Sequence, residues 1–200
     1  MGFLRASDGD GVCDDAVCRN LSALAVELEG VGRDQGNIFA SSLAGLGIRL
    51  NVKVLKPDPY FMALQDPRRH VALGINAGWL KDFPAAGSFV TPLFSRAGLG
   101  ACCNYSLVGA TPDELREWGY GVTSVPDVEA KVSECLPLIG DEQIRCWAEL
   151  DQQIMEQVVP WVPLLVENTT FIVSRRVVAT SFDQFATLPA LERTALAAGN

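Results

Sequence analysis

Between residues 21 and 54, two stretches of strand length flank one helical stripe, and that order restricts the chain to layered α/β architectures. Leu21-Ser-Ala-Leu-Ala-Val-Glu-Leu28 is a short apolar run of strand length, followed by a glycine-rich turn. Asp34 is placed to cap a helix whose apolar residues Phe39, Leu43 and Leu46 share one face. Gly45 and Gly47 offer its C-terminal stop. Ile48-Arg-Leu-Asn-Val-Lys-Val54 then alternates apolar and polar residues, the period of a half-buried strand.

The same grammar continues downstream. Asp58-Pro59 combines a cap residue with a proline at the first helical position, so a short helix is expected over Tyr60–Gln65. His70-Val-Ala-Leu-Gly-Ile-Asn76 is expected to be a buried strand that delivers Gly78-Trp79-Leu80-Lys81-Asp82-Phe83-Pro84. Residues 83–125 are rich in Gly, Pro, Ser and Thr and are expected to be either functional loop or peripheral packing, with one helix at Pro112–Trp118. Val128, Val132 and Cys135 lie on one helical face. The longest expected helix is Asp141–Val158, with an apolar stripe of Ile144, Trp147, Leu150, Ile154 and Val158, ended by Pro160. Trp161–Val166 and Thr169–Val173 are expected to be strands joined by a turn at Glu167-Asn168.

Charge and cysteine usage narrow the function classes. The 200 residues carry a formal net charge of -8, which repels phosphate backbones and anionic headgroups, so no nucleic-acid partner is expected. The pairs Arg68-Arg69 and Arg175-Arg176 are too short to make a basic footprint. No apolar run reaches the roughly 18 residues of a membrane span, and the first residues lack the apolar core of a secretory signal. The six cysteines nevertheless fit an oxidising compartment. Together these features point to an exported protein whose targeting segment lies outside the given sequence.

Catalytic chemistry is sparse. His70 is the sole histidine, and at the head of an apolar strand it is expected to be structural or exposed rather than catalytic. Neither a nucleophile elbow nor a phosphate-cradling glycine loop is found. The cysteine spacings match no ordinary zinc knuckle, so no metal and no cofactor is expected. Disulfides are the favoured alternative to zinc ligation and to free structural thiols. Cys13–Cys18 would close a small loop, and Cys135–Cys146 would staple two consecutive helices. Cys102 and Cys103 are either a vicinal disulfide or buried thiols.

The order of landmarks resembles a known family. It runs from Leu43-Ala-Gly-Leu-Gly-Ile48 through the alternating strand to Gly78-Trp79-Leu-Lys-Asp82-Phe83-Pro84 and Ser88-Phe89-Val-Thr-Pro-Leu-Phe94-Ser95. Asn104-Tyr-Ser106, the helix with Arg145 and Leu150, and Val159-Pro-Trp-Val-Pro-Leu164 follow. Over residues 34–182 this resembles the C-terminal portion of a family 5 extracellular solute-binding protein, the peptide and nickel receptors of ABC importers. The chain departs from the pattern at Phe83, where tyrosine is usual, and at Ala85, where an acid is usual. Full members are also more than twice as long.

The resemblance implies an α/β, periplasmic-binding-protein-like type II lobe, with a mixed sheet flanked by helices, incomplete relative to the two-lobed fold. It divides the chain into a loosely matching segment 1–33, a solute-binding region 34–182 and a tail 183–200. It implies ligand capture between two lobes without catalysis, in the periplasm or outside the cell, by a monomer that hands a peptide or other small solute to a membrane permease. The Asp82 carboxylate would pair with a peptide α-amino group, and Trp79 would wall a side-chain pocket, with Phe83 beside them. Independently of the family, an ammonium taken out of water needs a charge partner, and a rigid indole supplies apolar area at little entropic cost. Asn104 and Tyr105 are candidates for polar lining. Two other outcomes are weighed: a truncated, non-binding or partner-dependent remnant, and a metal- or thiol-dependent enzyme.

Overall fold

The computed structural model describes residues 10–27, 31–80, 82–162, 170–183 and 188–198. Its centre is a three-stranded parallel sheet made of β1 (Leu21–Val26), β2 (Leu50–Leu55) and β3 (Leu73–Ile75), in the order β2-β1-β3. Leu21 is paired with Leu50 and Val26 with Leu55, while Ala23 to Ala25 are paired with Leu73 to Ile75. β1 is therefore hydrogen-bonded on both edges. It is also covered on both faces over Ala23–Val26, which explains why those four residues are all apolar and buried.

The alternation of side chains along β1 assigns a helix to each face. Helix α1 (Val31–Ala44) packs on the Ala25 side. A methyl group added at its Gly36 would lie 2.8 Å from Val52 Cγ1 and 3.9 Å from Ala25 Cβ, so glycine sets the close helix–sheet approach. Helix α2 (Pro57–Gln65) takes the other side, where Leu24 and Val26 form a buried cluster with Tyr60 and Ala63. The Tyr60 hydroxyl donates to the Ile75 carbonyl at 2.8 Å, tying α2 to the last residue of β3.

The second core is helical. Helices α3 (Gly87–Phe94), α5 (Glu129–Cys135) and α6 (Gly140–Gln157) enclose Val90, Phe94, Val132, Trp147, Leu150 and Ile154. Helix α4 (Pro112–Glu117) starts at a full capping box: Glu114 N donates to Thr111 Oγ1, and the Glu114 carboxylate accepts from Thr111 N. Cys135 and Cys146 are bonded across the α5–α6 connection, and Cys13 is bonded to Cys18 before β1. A bond spanning 11 residues, as between Cys135 and Cys146, stabilises by about 3 kcal/mol through lost freedom of the unfolded chain. Short antiparallel pairs close the chain: β4 (Val177–Ala179) with β7 (Ala195–Leu196), and β5 (Phe182–Asp183) with β6 (Leu188–Pro189). Parallel and antiparallel pairing are thus both present, but in separate sheets.

Several elements differ from the sequence expectation, each for a local reason. Helix α1 begins at Val31, ahead of Asp34, and packs through Gly32 and Gly36, while Leu46 is 49% exposed beyond the helix end. Helix α2 begins at Pro57 rather than Pro59, because Pro57 already suits a first helical position. Strand β3 starts only at Leu73; His70 instead ends a 3-10 turn at a φ of 49°, its ring stacked 4.4 Å from that of Tyr120. Helix α3 lies in the stretch expected to be loop or peripheral packing. In α6, Ile144 is 66% exposed although the rest of the stripe is buried. It lies in the first turns of the helix, and Leu136 and Ile139 in the connection just before it are exposed as well. Val159 has a φ of 51° and Pro160 follows it, which ends α6 as expected. Trp161, Val162 and residues 170–173 form no strand; the turn at Glu167-Asn168 and residues 163–166 and 169 lie outside the described residues.

Candidate functional site

In parallel α/β sheets, ligands bind outside the carboxyl ends of strands, at the point where strand order reverses. Here that point lies between β1 and β3, because the chain leaves β1 to form β2 on one side and returns to form β3 on the other. Asn76, directly after β3, has a φ of 64° and its side-chain amide donates to the Gln35 side chain in the first turns of α1. This bond joins the two elements that border the reversal.

The segment after β3 is fastened to α3 rather than left as free loop. The Trp79 indole N–H donates to the Ser88 carbonyl at 2.8 Å, and the Ser88 hydroxyl donates to the Phe83 carbonyl at 3.0 Å. Ser88 is only 2% exposed, so both bonds are anchored inside the protein. Trp79 is half-buried, Asp82 is exposed and Phe83 is 51% exposed. Lys81 lies outside the described residues. Trp79, Asp82 and Phe83 thus share one tethered segment, with the carboxylate and the phenyl ring open to solvent.

Asn104 and Tyr105 lie elsewhere. Asn104 is 3% exposed, and its amide donates to the carbonyls of Ser95 (3.0 Å) and Val108 (2.9 Å). Its side-chain oxygen accepts from the Ser106 amide at 3.0 Å and from the Ser106 hydroxyl at 2.7 Å. Four bonds commit this side chain to holding the 95–108 loop together. Tyr105 is half-buried beside the Gln65 side chain, and burial pushes its phenol up from the usual tyrosine range. It also lies close enough to Tyr60 to raise that phenol further, although burial is the larger cause. No hydrogen bond, ion pair or ring contact among the described residues joins Asn104 or Tyr105 to Trp79, Asp82 or Phe83.

One open cleft was not singled out from sequence. It holds about 530 Å³ between the end of α2 and α4, with Met62, Gln65, Arg68, Leu99, Glu117 and Trp118 among its walls. Arg68 and Glu117 are paired across it at 2.6 Å. Glu114 is gripped by a forked bond from Arg96, with Nη2 to Oε1 at 2.6 Å. The Arg96 hydrogen bond, and next the Thr111 backbone amide, hold the Glu114 carboxyl down at about 2. The one local signal for this wall was Thr111-Pro-Asp-Glu114, a capping-box pattern. The pairing of residues 68 with 117 and 96 with 114 leaves no local trace in sequence. A smaller recess of about 290 Å³ lies between Glu27, Gly32, Arg33 and Val54, where β1 and β2 end.

The solved structure of "Clavulanic acid biosynthesis oligopeptide binding protein 2" is similar to this chain, with a TM-score of 0.66 at 22% identity. The two share a fold. The likeness covers 90% of this chain and 31% of that one, so the chain spans less than a third of that protein's length. No family model matches the chain, and no curated protein matches it. No helix among the described residues is long and apolar enough to cross a membrane.

Proposed function

We propose that this chain is a solute-binding lobe, of the type II periplasmic-binding-protein kind, from the receptor of an ABC importer for peptides or similar small solutes. The observation that carries this reading is the placing of Trp79–Phe83 at the carboxyl end of β3, in a fold shared with an oligopeptide-binding protein. Trp79 would present a ring face held in place by its own N–H bond, a preorganised apolar wall. Exposed Asp82 would meet the ligand's ammonium, and the second wall would come from another lobe on closure. On this reading the protein does no chemistry, works outside the cytoplasm as a monomer, and delivers its cargo to a membrane permease.

Isothermal titration of the chain with a free-amine tripeptide and its N-acetylated form tests the assignment. Asp82→Asn is expected to weaken the free-amine peptide by roughly tenfold, about the value of one charge-assisted bond, and the acetylated form much less. Equal losses for both peptides would remove Asp82 from the site.

One observation favours a second reading, that the piece is completed by a partner. Val162, Ile172, Val178, Phe182, Leu191 and Leu196 are all more than 45% exposed along the C-terminal quarter. Gel filtration across a concentration series separates the two: a monomer that binds peptide supports the lobe, and a self-associating chain deaf to peptide supports the remnant.

A further inference from the structure

The three disulfides differ in what they join. Cys13–Cys18 and Cys135–Cys146 span 5 and 11 residues, and each has at least one sulfur-bearing residue that is 0% exposed. The third joins the neighbours Cys102 and Cys103, which closes no chain loop of consequence. Its Cys103 is buried at 6% exposure, but Cys102 is exposed. A bond that contributes little to holding the chain together, yet is open to an external thiol, belongs to the labile class of disulfides.

Its surroundings give it something to control. The Gly98 carbonyl accepts from three successive amides, those of Cys102 (3.3 Å), Cys103 (3.3 Å) and Asn104 (3.2 Å). These bonds wind residues 98–104 into a tight loop whose Leu99 and Gly100 line the 530 Å³ cleft. A side chain added at Gly98 would meet the Pro92 carbonyl at 2.2 Å, so the loop is pressed onto α3. From the opposite wall, Gln65 Nε2 donates to the Cys102 carbonyl at 2.7 Å. The disulfide ring fixes the carbonyl that Gln65 grips.

We propose that the Cys102–Cys103 bond is a thiol-exchange switch that sets the wall of the cleft between α2 and α4. A thiolate of an external dithiol attacks Cys102 Sγ, the Cys102–Cys103 bond breaks, and Cys103 leaves as the thiolate and takes up a proton. The second thiol of the reductant displaces the mixed disulfide, so the protein gains two thiols and the reductant departs as its own disulfide. Freed of the ring, the 102–103 peptide turns, the Cys102 carbonyl leaves Gln65, and the cleft loses that bridge between its walls.

The test uses the whole chain in native buffer. Graded dithiothreitol is followed by N-ethylmaleimide trapping, peptide mass spectrometry and amide hydrogen exchange. Cys102 and Cys103 are expected to be trapped at reductant concentrations roughly tenfold below those that open the other two pairs. At that point, amides 102–104 and the 65–69 segment are expected to exchange roughly tenfold faster, with α6 unchanged. A Cys102→Ser/Cys103→Ser double variant is expected to show the fast pattern without reductant. Three pairs opening together, trapping of Cys102 before any reductant is added, or a double variant that keeps the slow pattern would each overturn the proposal.

Discussion

The indole N–H of Trp79 donates to the carbonyl of Ser88, and Ser88 is the residue whose helical acceptor Pro92 leaves unused. In a regular helix the amide four residues on would take that carbonyl, but proline has no N–H to give. Trp79 fills the gap. The bond therefore does two jobs, repairing α3 at its proline and fixing the ring that heads the candidate binding segment.

This pairing predicts a measurable coupling. Trp79→Phe keeps an aromatic ring but strands the Ser88 carbonyl, and is expected to cost about 1 kcal/mol in urea unfolding. In a Pro92→Ala background the new amide can satisfy Ser88 in place of the indole, so the cost of Trp79→Phe is expected to shrink. An undiminished cost in that background would show that the indole bond does not repair the helix.

Glu114 predicts a pH dependence. Its carboxyl is held at about 2 in the folded chain by Arg96 and by the Thr111 amide, well below the ordinary carboxylate value. The folded form binds its proton less readily than the unfolded form, so this stabilisation is fully present above the ordinary carboxylate pKa. It is lost as pH falls through the window down to about 2. Glu114→Gln is expected to flatten the fall in Tm across that window, and to leave the two proteins closest at its acid end.

The α6 face predicts a contrast within one helix. Leu150 is 0% exposed and Ile144 is 66% exposed. Leu150→Ala is expected to cost about 2–5 kcal/mol by loss of burial and creation of a cavity. Ile144→Lys is expected to change stability by no more than about 0.5 kcal/mol. Guanidinium unfolding of the two variants reads the difference directly, and a large loss at residue 144 would mean that its face is covered in solution.

Removing the α5–α6 staple predicts a larger, uniform loss. With both cysteines buried, Cys135→Ala/Cys146→Ala is expected to cost about 3 kcal/mol in the midpoint-derived stability. An unchanged midpoint would place the bond outside the folded state's support.

The α/β class was legible because it is written in local periodicity. The run at Leu21–Val26, the alternation up to Val54, the α5 face of Val132 and Cys135 and the α6 face of Leu150 and Ile154 each follow from spacing alone. Helix α3 was not legible: Ser88-Phe-Val-Thr-Pro92 carries a proline that argues against a helix, and the tryptophan that compensates for it lies nine residues upstream. The site divides in the same way. The sequence by itself determined that Trp79, Asp82 and Phe83 share one short segment after a strand. Only the tertiary structure decided that Trp79 is tied down at Ser88, that Asp82 stands open, and that Asn104 is spent inside its own loop. The physical reason is range. Propensity and period act within a few residues, whereas the partner of a buried donor or a charge is chosen by packing between segments far apart in the chain.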